Sequence, residues 1–162
     1  MKMIRILAIL VLLVGVAGLA VGAVFLSEGI AKNQLIVNRM NVENVTLNLD
    51  PNNPSVSTQI NNATEAQKAA DTIAQHRRNI APTYQDLLGG KQFDPTNPKQ
   101  LVYVQAMNLE NYLYTAVTAF GLINVAMAAG AFMIITGIAL IFIAIVIIRM
   151  ANMSEKHMIG AI

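Results

Sequence analysis

Asn111 to Ile148 reads NYLYTAVTAFGLINVAMAAGAFMIITGIALIFIAIVII, carries no formal charge and is closed by Arg149. About 20 apolar residues in helical form cross a bilayer core, so this run is nearly twice what one passage needs. No proline, aspartate or Asn-Gly turn interrupts it, which argues against two passages joined by a tight loop. The expectation is one long helix. Its C-terminal half, 128–148, spans a membrane, and its N-terminal half, 98–127, projects beyond as a stalk whose apolar surface other polypeptide must cover.

Composition agrees with that reading. The chain has 162 residues, of which 55% are hydrophobic and 12% charged, against about 25% charged in soluble domains. Net charge is +2, spread over a polar middle and two short tails, so a nucleic-acid surface is not expected. There is no cysteine, which excludes disulfides, thiolate metal sites and a cysteine nucleophile.

At the N-terminus Lys2 and Arg5 precede an uncharged run, 6–26, long enough for a first span. A secretory signal also opens this way, but its apolar core is usually only about 7–15 residues, so an uncleaved anchor is expected. Gly18 and Gly22 form a GxxxG pair with Gly15 beside it; such residues let helix backbones approach closely in lipid. In the second span Ala126, Gly130, Gly137 and Ala144 make a matching small-residue stripe, with the last three spaced by sevens. These residues, with Asn124 as an interhelical hydrogen-bonding side chain, are the expected helix-packing interface. Gly18→Leu or Gly130→Leu should disperse an assembly while leaving insertion intact.

Beyond the first span, Leu26, Ile30, Asn33, Val37 and Met40 alternate by four and three, extending the first helix from about Ile4 to Met40 with a stalk over 27–40. Val102, Ala106, Leu109, Leu113, Ala116 and Phe120 repeat that seam in the last helix. If the two helices run antiparallel with Arg5 and Arg149 level, partner numbers sum to roughly 154, because both climb about 1.5 Å per residue.

The segment 41–97 reads as a helical, loop-rich head. ENVTLNLD alternates Val45, Leu47 and Leu49 as an extended segment, and Asp50 to Ser55 reads as a turn. Thr64 to Gln67 has the form of a capping box opening a helix over 65–79, with a weak apolar stripe at Ala66, Ala69, Ala70, Ile73 and Ile80. Pro82 suits the first turn of a second helix, 82–88, stopped by Gly89-Gly90. Asn97 and Pro98 suit the cap and first turn of the last helix. Two Asn-x-Thr sequons, at Asn44 and Asn62, are chance-level matches in so asparagine-rich a stretch.

The fold class that follows is an all-α membrane protein: two long antiparallel helices and a small head. Positive residues at 1–5 and 149–162 put both termini in the cytoplasm and the long middle region outside. No acid or base lies within either span, so a proton relay or ion-coupled pump has no residues to use. His76 and His157 fall on opposite sides of the membrane in this arrangement, so no metal site is expected; no cofactor motif or nucleophile elbow occurs either. Arg77 has Asp71 and Glu65 on neighbouring turns as partners, while Glu110 can reach Lys32 or Arg39. The expected function is non-catalytic: a structural or accessory subunit in membrane lipid, assembling with itself or with other membrane subunits. The alternative is an extracytoplasmic sensor or ligand-binding module that signals through a partner.

Overall fold

The computed structural model describes residues 2–48 and 57–159. It is mostly helical, in the order α1 (Lys2–Val42), β1 (Thr46–Asn48), β2 (Ser57–Gln59), α2 (Ala63–Ile80), α3 (Tyr84–Leu88) and α4 (Pro98–Ile159). Both α1 and α4 are long and apolar enough to cross a membrane. The chain divides into two compact units, 1–31 with 124–162 and 32–123.

In the first unit the buried positions of α1 are Ala8, Gly15, Gly22 and Gly29, and those of α4 are Gly130, Gly137, Ala144 and Ala151. Each set repeats every seven residues, the period that holds one narrow face of a helix toward a single partner. On the other faces many side chains are large, apolar and exposed. Leu13, Val14, Val24, Phe132, Ile135 and Phe142 are each more than half exposed.

The second unit is built in the opposite way. Met40, Ile60, Leu113 and Phe120 close around the alanine face of α2, formed by Ala66, Ala69 and Ala70. Alanines at these positions let helices approach closely, and the large side chains fill the space between elements. β1 and β2 pair antiparallel with Thr46 opposite Gln59 and Asn48 opposite Ser57, and β1 packs on α2.

Several boundaries differ from the sequence expectation. The second unit contains a two-stranded sheet, so the chain is not purely helical. The expected extended segment forms strand over Thr46–Asn48, whereas Leu49 and the Asp50–Ser55 turn lie outside the described residues. Helix α1 continues to Val42, where Asn44 takes a left-handed conformation (φ 50°) and its N–H donates to the Asn41 carbonyl. Asparagine is one of the few residues that tolerates that conformation.

Helix α2 is capped by Asn62, not Thr64: the Asn62 side chain accepts from the Glu65 N–H, and Glu65 in turn accepts from the Asn61 N–H. Both sequon asparagines are therefore helix-ending residues. Thr83 caps α3, which begins at Tyr84, so Pro82 precedes the cap and is not in the first turn. Asn97 does cap α4, accepting from the N–H groups of Lys99 and Gln100. Helix α4 does not stop near Arg149 but runs on to Ile159.

Both four-three seams are offset at their ends. Ile30, Val102 and Leu109 are 49%, 51% and 36% exposed, while Gly29, Tyr103 and Glu110 take the buried positions one residue away. An apolar periodicity cannot register a glycine or a glutamate as the inward residue, and the offset follows from that.

Candidate functional site

Two constructions carry the polar and close-packed chemistry of this chain, one in each unit. In the first, the glycines of α1 and α4 meet backbone to backbone. A Cβ added at Gly15 would lie 2.9 Å from the Gly137 carbonyl oxygen, and one added at Gly137 would lie 2.7 Å from that of Gly15. Gly22 and Gly130 form the same reciprocal pair, at 2.7 and 2.8 Å. Each pair of numbers sums to 152, two short of the expected register, and partner numbers fall along α4 as they rise along α1. Real Cβ atoms do not approach an oxygen so closely, so only glycine fits at these four positions.

The other expected interface residues play different parts. Gly18 makes only ordinary contact, its nearest neighbour being the Met133 oxygen at 3.4 Å, so the tight repeat is the heptad through Gly15, Gly22 and Gly29 rather than GxxxG. Ala144 is fully buried, Ala126 half-buried and Asn124 exposed. Gly29, with no place in the expected face, packs on the Met127 side chain. The seven-residue spacing 15–22–29 was present in the sequence, hidden by the more familiar four-residue pair. At the end of this unit the Arg5 guanidinium donates to the Asn152 side-chain oxygen at 2.9 Å.

In the second unit a polar cluster ties α2 to α4. The Arg77 Nε–H donates to Glu110 at 2.6 Å, and the two side chains are 13% and 11% exposed. A second guanidinium nitrogen donates to the Tyr103 hydroxyl, and the guanidinium carbon lies 5.0 Å from that ring's centroid. The bond to Glu110 raises the Arg77 pKa above its ordinary value, with burial opposing. Tyr114 donates to Asp71 across the same helix pair at 2.7 Å. These pairings replace the expected ones: Arg77 takes Glu110 rather than Asp71 or Glu65, and Glu110 takes Arg77 rather than Lys32 or Arg39. For Arg77, local spacing points to partners within its own helix, but the fold supplies one 33 residues away.

Two grooves open beside this cluster, sharing Val45, Thr46 and Leu109. The larger, about 790 Å³, is bounded by Arg39 and Glu43 of α1 and by Tyr112 of α4. The smaller, about 490 Å³, runs along Ile73 and His76 of α2 to Leu113. His157 lies beyond the residues whose side chains are described, and among the described residues no three metal-ligating side chains converge. Compared with known protein families, curated proteins and solved structures, the chain matches none of them.

Proposed function

We propose that the chain is a non-catalytic, two-pass integral membrane protein serving as a structural or accessory subunit. Spans over 6–26 and 128–148 form an antiparallel hairpin, both termini are cytoplasmic, and 41–97 lies in an extracytoplasmic head. The observation that carries this reading is the contrast around the glycine seam. The inward face of each helix is glycine and alanine, and large aliphatic and aromatic side chains cover the outward faces. Water would penalise such a surface at about 25 cal/mol per Å² of apolar area, whereas lipid does not. Helices in lipid, lacking a hydrophobic force between them, associate where small residues let backbones touch.

The glycine and alanine faces are engaged within a single chain, so assembly with further copies or with other subunits falls to the remaining faces. These include the stretch of α4 around Leu122 and Val125, 68% and 69% exposed.

The natural absence of cysteine makes the topology directly testable. Single cysteines at Thr96 and at Ser154 in intact cells should react differently with a membrane-impermeant maleimide. Thr96→Cys labels from outside, and Ser154→Cys labels only after lysis. Extraction of the chain by alkaline carbonate, or equal labelling of both cysteines, overturns the reading. The sensor alternative is supported by the grooves of the second unit and separates from the first by ligand binding.

A further inference from the structure

The larger groove of the second unit has a composition that selects a ligand class. Its apolar part is Val45 from the chain after α1 and Leu109 and Tyr112 from α4, with Leu109 and Tyr112 36% and 42% exposed toward the opening. Its charged part is Arg39 and Glu43, one helical turn apart at the end of α1 and both exposed. Residues four apart stand on one helix face and commonly pair with each other, most favourably where the acid precedes the base. Here the order is Arg then Glu, and among the described residues no ion pair joins them. A cation and an anion therefore both line one partly apolar groove.

We infer that this groove binds a small zwitterion with an apolar side chain, of the α-amino acid class. The carboxylate lies on the Arg39 guanidinium, whose forked donors match a planar carboxylate. The ammonium lies on the Glu43 carboxylate at the C-terminal end of α1, where the helix dipole also favours positive charge. The side chain lies along Val45, Leu109 and Tyr112, and the adjoining groove over Ile73 and Leu113 leaves room for a bulky one. A ligand bearing only one of the two charges leaves the other protein charge without its partner, which is how such a site discriminates.

The test is calorimetric titration of the full-length chain in nanodiscs with L-phenylalanine, L-leucine, 3-phenylpropionate and phenethylamine. At least one of the two amino acids should bind saturably. Each single-charge analogue should bind at least ~10-fold more weakly than phenylalanine, the loss of about one charge-assisted hydrogen bond. Arg39→Gln and Glu43→Gln should each weaken amino-acid binding by a similar factor while leaving the circular dichroism unchanged, as expected for exposed side chains. The analogue series uses the unaltered chain, so it decides even where a variant misfolds. No saturable heat from either amino acid up to ~10 mM, analogues that bind as well as phenylalanine, or binding that neither variant weakens would each overturn the inference. The topology experiment is a separate measurement, so failure of one reading leaves the other standing.

Discussion

The same two helices, α1 and α4, are packed by opposite means in the two units. In the unit made of 1–31 and 124–162 the contact consists of what is missing: four glycines whose Cβ positions are already taken by opposing backbone. In the unit 32–123 the packing consists of what is added: Met40, Leu113 and Phe120 are buried almost completely around the alanines of α2, and Tyr103 with a guanidinium–carboxylate pair joins α2 to α4. If, as proposed, the first unit lies in lipid and the second in water, the difference is that of two solvents. Where the surroundings are as apolar as the side chain, burying a leucine gains little and dispersion between close backbones decides. Where the surroundings are water, removing large apolar surface dominates, and a charged pair is tolerated only because each partner satisfies the other.

The comparison breaks most directly at Gly22. Leucine there meets the Gly130 backbone oxygen, which cannot rotate away, so the helices must part along their length. We expect Gly22→Leu to destabilise the folded chain by about 4 kcal/mol, above the usual cost of overpacking because the group it meets is backbone. Fluorescence-detected size exclusion after heating in detergent measures this. Gly18→Ala is the control: its nearest neighbour at 3.4 Å leaves ordinary contact room, so it should run close to the unaltered protein. Equal loss at both positions would mean that the seam is not the heptad described here.

The next effect is at Arg77. Its removal strands Glu110 in a site only 11% exposed and takes away the donor to the Tyr103 hydroxyl. Breaking one side of such a pair costs about 3 kcal/mol, more than the pair itself contributes, because the remaining charge has lost its compensation. Arg77→Ala should therefore lower the thermal midpoint clearly, and Arg77→Met combined with Glu110→Leu should recover much of the loss. A double variant as damaged as the single one would show that the cluster contributes packing rather than charge compensation.

Gly121 gives an effect of opposite sign. It is a helical glycine in α4 with nothing within 4 Å of where a Cβ would stand. In an exposed helix interior glycine is about 1 kcal/mol less favourable than alanine. Gly121→Ala should therefore stabilise the isolated chain by roughly that amount, while Gly137→Ala, aimed at the Gly15 oxygen, destabilises it. A destabilising Gly121→Ala in the native membrane, absent after purification, would locate another polypeptide on that face and so sharpen the accessory-subunit reading.

How much of this was legible beforehand depends on what each feature looks like in one dimension. The two long helices follow from uninterrupted apolar runs and from Asn97-Pro98, which together specify a start. The heptad of Gly130, Gly137 and Ala144 could be read because its period is sequential. Its partner on α1 was obscured because Gly18 and Gly22 form a better-known pattern, although only Gly22 belongs to the tight contact. The register of the two long helices points Glu110 to Lys32 or Arg39, since its partner Arg77 is remote in sequence and nothing local signals a buried charge. The first strand is legible in the alternation of Val45, Leu47 and Leu49, but Ser57–Gln59 is too short to establish one, and the pairing across 46–59 is a tertiary fact.

The smallest effect belongs to the turn before α4. Asp94 accepts from both the N–H and the hydroxyl of Thr96, at 2.8 and 2.7 Å. The hydroxyl bond, followed by the backbone bond, holds its carboxyl below the ordinary value of 3.8. A carboxyl whose pKa is lower folded than unfolded favours the folded turn above the unfolded pKa, and that preference disappears as pH falls through the folded one. The turn should thus be unaffected at neutral pH and lose its Asp94 contacts only under acid conditions below about pH 4. The Thr96 amide resonance, followed by nuclear magnetic resonance, should titrate with a midpoint under 3.8. Thr96→Val removes the hydroxyl donor and keeps the amide, so it should move the Asp94 midpoint back toward the ordinary value. A midpoint that Thr96→Val leaves unchanged would mean that the hydroxyl contributes nothing and that the Thr96 N–H is what lowers the Asp94 carboxyl. The wide difference between this exposed turn and the buried Arg77 cluster is then one of solvent screening, since both are hydrogen-bonded charges and only the second is shielded from water.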